Sequence, residues 1–500
     1  MSPLTLDTVS PQQFNVNDTM LPNLLENVTP YFEMPLGALN ALAPWDLSGT
    51  PADLQILEAT SINDEELDIY YRSVQPAHPF LPPRAQLALL FQRLDLQHLR
   101  LAIQYVTATY RWPGSGSAPQ QSLDAMLRDR RIKRDGFLVQ TLLLYAIELH
   151  CEGYKMRAVE ILNDAIDLAL EIGLPTSDFA TEQPCNDGSA VMAESWRRTW
   201  WELYVVDSLF AISNQTSEFR CYGKGHDVPL PCTEVEYDSG MIPLPRTLGE
   251  LDEVAFTYDT SAFSSFAYRI DAARVLGAVF TVARTQHNAQ AANIADVRIT
   301  NWILHLPPGM RECVGTNGKV DEMIFQAHMI INSATIQLHK PLSELDLGIM
   351  EGTLACVPAY DMTGLPAHST STAKLIHAAD KMDDLVTLHV PLNSHTHFFT
   401  CALALAAASH LYAFIAPSLH RDRTATKDRI RLCMGALHTC GNTWPLAKQV
   451  YDQVKSVAVT LYRSQNTILP RASEADFLRL ITEDEDTNDG GLWDASIASG

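Results

Sequence analysis

Apolar residues recur along most of this 500-residue chain at intervals of three and four, and period-two alternation of β-branched residues is hardly found. A half-buried strand needs the two-residue repeat and a core-facing helix the 3.6-residue one, so the pattern predicts an all-α architecture. Residues 61–66 offer capping groups and first-turn acids for a helix through Tyr70, Tyr71 and Val74 that Pro76 ends. Further runs cover 87–106, 138–152, 155–171, 193–210, 263–290, 295–304, 321–339, 372–389, 396–415, 428–437 and 444–464. Gly153 separates the 138–152 and 155–171 helices, and Gly173 with Pro175 closes the second. The stretch 221–245 carries seven Gly and Pro residues and reads as irregular.

Charge divides the same chain differently. No Lys or Arg precedes Arg72, where the running charge stands at −11, and the residues from Ala472 onward add −7 of the total −23. The body between is close to neutral. Residues 1–60, poor in helical period and lacking bases, are expected to be disordered, and 471–500 to be a second acidic, disordered tail. Both set Trp, Leu or Phe among acids, as disordered activation segments do. The body, 61–470, exceeds the ~250–300 residues at which a single core stops growing, so one long helical array and two packed halves both fit. Without clustered bases to displace counterions, a broad nucleic-acid surface is not expected.

The nine cysteines include no C-x2-C pair and read as reduced thiols of an intracellular protein. Residues 398–416 approach the length of a membrane span, but Thr400, Ser409, His410 and an Ala-rich composition favour a buried helix. No membrane association is expected.

Four segments in order resemble a known family. ELDIYYRSVQPAHPFL (66–81) is similar to an opening helix running into a His-Pro turn. Residues 138–175 form a helical pair ending in Ala-x-x-x-Gly-Leu. ESWRRTWWELYVVDS (194–208) matches an Arg-Arg-x-Trp-Trp pattern, Arg197, Arg198, Trp200 and Trp201, followed six residues later by Asp207; HMIINSATIQLHKPL (328–342) ends in His-Lys-Pro. Together they resemble the fungal-specific transcription factor domain, the helical middle region of zinc-cluster regulators. The residues themselves read as architecture. Trp196, Trp200 and Leu203 fall on one stripe of an amphipathic helix; Asp207 is expected to bond an arginine or cap the next turn, and Arg197 or Arg198 to pair with it or another acid.

The resemblance implies a nuclear regulator of transcription, controlling a fungal metabolic gene cluster, among them those for specialised metabolites. Its implied partners are the transcription machinery or a partner transcription factor, with a small-molecule effector and homo- or heterodimer formation within the family's range. Family members usually begin with six cysteines binding two zinc ions among Lys and Arg; here the first cysteine is Cys151, so DNA contact by this chain alone is not expected. A co-regulator working through a zinc-cluster factor is the alternative, and from another class a helical enzyme without a recognisable motif.

No phosphate loop, nucleophile elbow or H-E-x-x-H occurs, so no catalytic residue and no cofactor is expected. His395 and His397, with no acid or thiol at ligand spacing, read as ordinary histidines and not as metal ligands. Arg128, Arg130, Arg131, Lys133 and Arg134 form the densest basic cluster, which has the size of a nuclear import signal and equally that of a solvated helix end between two acids.

Overall fold

The computed structural model describes residues 64–111, 116–129, 131–182, 189–213, 219–254, 263–284, 289–315, 317–345, 368–416 and 422–466. The two acidic tails lie outside them. Helices follow one another along the chain: α1 (Asp64–Ser73), α2 (Arg84–Arg93), α3 (Gln97–Arg111), α4 (Ser117–Leu127), α5 (Gly136–Cys151), α6 (Lys155–Glu171), α7 (Phe179–Glu182) and α8 (Ala190–Ser213). After them come α9 (Glu234–Ser239), α10 (Leu248–Val254), α11 (Ser265–Arg284), α12 (Ala289–His305), α13 (Glu322–His339), α14 (Ser369–Val386), α15 (Phe399–Ile415), α16 (Arg423–Gly441) and α17 (Pro445–Asn466). Among the described residues extended pairing is limited to two isolated bridges, Leu230 with Arg246 and Val314 with Val320. The fold is all-α.

Local chemistry sets several of the ends. Asp135 accepts from the Phe137 and Leu138 amides at the start of α5, Asp321 does the same for α13, and Asp422 starts α16. Thr233 and Glu236 form a reciprocal capping box on α9. Gly153 and Gly173, both at positive φ, end α5 and α6 where expected.

One continuous apolar cluster runs from Leu67 to Leu461. In its first half α5 packs on α3 and α6, and α3 also holds α1 and α4; in its second half α11, α13, α14, α15, α16 and α17 pack in sequence. α8 joins the halves by packing on α5, α6, α7 and α11, and α17 returns to touch α5. The length left two arrangements open, and the shared core makes this one body.

Three expectations change. The run 87–106 is two helices, because Leu94 leaves helical backbone at φ −125° and ψ 145° and separates α2 from α3. α4 lies where no helix was expected, between the 87–106 and 138–152 runs. And α8 is not amphipathic: every residue from Glu194 to Ser213 is buried, charged ones included. A helix buried on all sides needs its polar groups answered from within the protein, and α8 receives those answers from the segments around 74–83 and 219–234.

The Ala-rich stretch at 398–416 forms α15, enclosed by α13, α14, α16 and α17. No helix among the described residues is long and apolar enough to cross a membrane.

Candidate functional site

The Arg-Arg-x-Trp-Trp stretch of α8 lies at the centre of a buried charge network. Glu194 takes both arginines that follow it, Arg197 at 2.7 and 2.9 Å and Arg198 at 3.0 Å, and also the Cys232 amide at 2.9 Å. Arg198, fully buried, then reaches outward: Nη1 donates to Glu234 and to the Pro79 carbonyl, Nη2 donates to the Cys232 carbonyl, and its guanidinium lies 4.0 Å over the Tyr237 ring. The planar fork of arginine suits this many fixed acceptors. Burial raises the Glu194 carboxyl, but Arg198 and Arg197 outweigh it and hold the group below its ordinary range.

One turn on, Glu202 Oε1 accepts from His78 Nδ1 at 2.8 Å and from Arg269 Nη2 at 2.7 Å, with all three side chains buried. Arg269 in turn donates to Met323 Sδ on α13. Ser195 bonds the Phe80 carbonyl, and Tyr237 bonds that of Leu81. Gln140 of α5 reaches Ser195 and Thr199, while Phe137 packs edge-on against Trp196 at 4.9 Å. The His-Pro turn, the α5–α6 pair and α13, the other three segments of the resemblance, are thus tied to α8 either directly or through Arg269.

Trp201 Nε1 donates to the Pro229 carbonyl, and Trp200 lies against Gly225, whose φ is +73°. A Cβ at 225 would fall 2.1 Å from Trp200 Nε1, so both backbone sign and space require glycine there. Asp207 Oδ2 accepts from the Cys221 amide at 2.7 Å; of the two roles expected for it, this is the turn cap. Burial pushes its carboxyl up to about 6. The charged and aromatic residues of α8 therefore clamp an irregular strap, 219–234, and the 74–83 turn onto one helix.

The basic cluster takes another course. Arg128, Arg131, Lys133 and Arg134 lie on the connection between α4 and α5, and Arg130 is outside the described residues. Arg131 pairs with Asp129, Lys133 with Asp135 and Arg134 with Glu171, yet the Arg131 and Lys133 side chains are 91% and 80% exposed. Arg128 and Arg134 also line a cleft of about 510 Å³ against α6.

A larger cleft, about 610 Å³, opens where α8, α11 and α12 meet. Tyr204, Tyr222, Tyr268 and Trp302 supply aromatic walls; Arg274, Arg298, His226 and His305 supply positive or titratable groups. Arg274 is engaged by Asp252 and Asp271 at 2.9 Å. Gly277 lets Tyr222 lie flat on α11, since a Cβ there would meet the ring at 2.1 Å.

Histidines 395 and 397 point to different partners. His395 bonds Glu322 at 2.6 Å and stacks on Phe325, and His397 bonds His150 at 2.9 Å. His410 lies instead against Asp383 of α14. His395 and His410 each meet an acid carried by another helix, a pairing that spacing along the chain does not register. All seven described cysteines are free thiols.

The described helices are thus organised around one buried, charge-bearing helix, with one aromatic-walled cleft where α8, α11 and α12 meet. The chain is 33% identical over 425 residues to the C6 finger domain transcription factor iacK of Pestalotiopsis fici, a match covering 84% of this chain and 63% of that protein. It thus spans less than two thirds of the relative's length. No family model matches the chain, and no solved structure does.

Proposed function

We propose that this chain regulates transcription, with the helical body as its regulatory part. The observation that carries the reading is the similarity to a transcription factor over 84% of the chain, an extent that a shared short motif does not produce. The clamp on α8 supports it from the structural side. Its residues are spent on holding segments together, as in a scaffold that transmits a binding event. The cleft between α8, α11 and α12 is the proposed effector site, suited by its tyrosines, Trp302 and Arg298 to an aromatic or acidic small molecule. Because Tyr204 belongs to both the cleft and α8, occupancy there would bear directly on the clamped helix.

In this reading the protein acts in the nucleus, on a metabolic gene cluster such as one for a specialised metabolite. It reaches promoters through a zinc-cluster partner, as a homo- or heterodimer, and recruits the transcription machinery with its acidic ends. Deleting the gene is expected to abolish coordinated transcription of a set of linked genes, measured by RNA sequencing; an unchanged transcriptome overturns the proposal. Gel-shift assays of the pure chain on those promoters at physiological salt are expected to give no specific complex. A specific shift would replace the partner route by direct DNA binding.

A further inference from the structure

Where α14, α15 and α16 pack together, Asp380 and Asp383 project from one face of α14 at a three-residue interval, and His410 faces them from α15. One ligand atom from each of the three lies within 4.8 Å of the others. Asp383 and His410 are fully buried and Asp380 partly so. His410 Nε2 stands 2.8 Å from Asp383 Oδ2, but neither atom is in a hydrogen bond, and His410 Nδ1 has no partner either. An ion-pair contact that lacks hydrogen-bond geometry, beside a buried imidazole nitrogen with no hydrogen-bond partner, requires an explanation.

Arg429 is a nearby cation. The Arg429 guanidinium makes its short contacts to Asp384 Oδ1 at 2.9 Å and to the Asp380 carbonyl at 3.1 Å. Its approaches to the carboxylates of Asp380 and Asp383 are 3.9 and 3.8 Å. Cys433 of α16 donates its thiol to Asp383 Oδ1 at 2.9 Å, which fixes that carboxylate with Oδ2 turned toward His410. A carboxylate oriented by a hydrogen bond from a neighbouring side chain is common around bound metal ions.

We propose that Asp380, Asp383 and His410 bind a divalent transition-metal ion of the zinc type, with Cys433 orienting Asp383. Two oxygens and one imidazole nitrogen suit zinc, cobalt or iron better than calcium, which takes six to eight oxygens. Donors around a tetrahedral zinc stand about 3.3 Å apart at bond lengths of ~2.0–2.2 Å, so small side-chain shifts suffice to admit the ion. Binding would replace the direct His410–Asp383 contact with two bonds to one ion. It would also link three helices of the second half of the body. The site stands on its own geometry and does not rest on the transcriptional reading.

The test uses the whole 500-residue chain, stripped with EDTA and dialysed against zinc, with cobalt as a spectroscopic probe. One zinc per folded chain is expected by elemental analysis, and cobalt loading is expected to give visible ligand-field bands. His410→Gln and Asp380→Asn should each weaken zinc by at least about 10-fold, the scale seen when even an outer partner of a metal ligand is disturbed. Asp380 is partly exposed, so that variant is expected to retain its helical circular dichroism and keep the test sound if the buried substitution does not fold. Arg429→Gln removes a cation beside the site and should tighten zinc several-fold, a direction that general loss of structure would not produce. A folded chain that retains no zinc, or zinc affinity unchanged in both ligand variants, overturns the proposal.

Discussion

A lysine at position 198 would keep the charge and lose the fork. Arg198 answers Glu194, Glu234 and two backbone carbonyls from a position with no solvent access, and an ammonium group cannot reach them all. Arg198→Ala is expected to cost about 3–5 kcal/mol in urea unfolding, since it leaves Glu194 buried beside a single remaining guanidinium. The pairing with Glu194 was readable from the three- and four-residue intervals on a helix; Glu234, thirty-six positions away, was not. Glu148 offers a pH test. Burial raises its carboxyl from 4.5 to about 8, and Thr109 donates to it. A carboxyl raised in the folded state binds protons that the unfolded chain has already released, so stability is lost as pH rises from about 4.5 to about 8. Relative to Glu148→Gln, the native chain should lose about 1.4 kcal/mol per pH unit across that window, read from denaturation midpoints, with a pH-independent difference below it.

At the level of the helices, periodicity located most of the long elements and misjudged what covers them. The 138–152, 155–171 and 321–339 runs correspond to α5, α6 and α13, because each couples a strong apolar repeat to an Asp cap or a Gly stop. Asp135→Ala should therefore cost about 1 kcal/mol by removing the acceptor for two α5 amides, measurable as a lowered Tm. The break between α2 and α3 was missed because Leu94 and Leu96 continue the apolar repeat across it, and only backbone angles reveal the turn. α15 is a buried helix, as expected. Its length approached that of a membrane span, and its alanines, which favoured a buried helix, let four neighbouring helices approach closely. Ala404→Leu, at a position with no exposure, should overpack that contact and cost about 1–3 kcal/mol in chemical denaturation.

Across the whole molecule, the bases between α4 and α5 are held by surface ion pairs, which are weak in water, and their role as an import signal is a proposal open to test. Replacing Arg131, Lys133 and Arg134 with Ala in a fluorescent fusion of the chain is expected to move it from nucleus to cytoplasm under the microscope; unchanged nuclear signal assigns import elsewhere. The all-α class, the main helices, the neutral body between acidic ends and the importance of the 194–208 segment were all legible in the linear chain, because each depends on intervals of a few residues or on composition. What required the tertiary structure is how the charges are answered. Glu202 meets His78 and Arg269, Arg198 meets Pro79 and Glu234, and His410 meets Asp383, each across loops that no short-range pattern spans. Burial decides these pairings, since a charged group withdrawn from water must find its partner wherever packing places one.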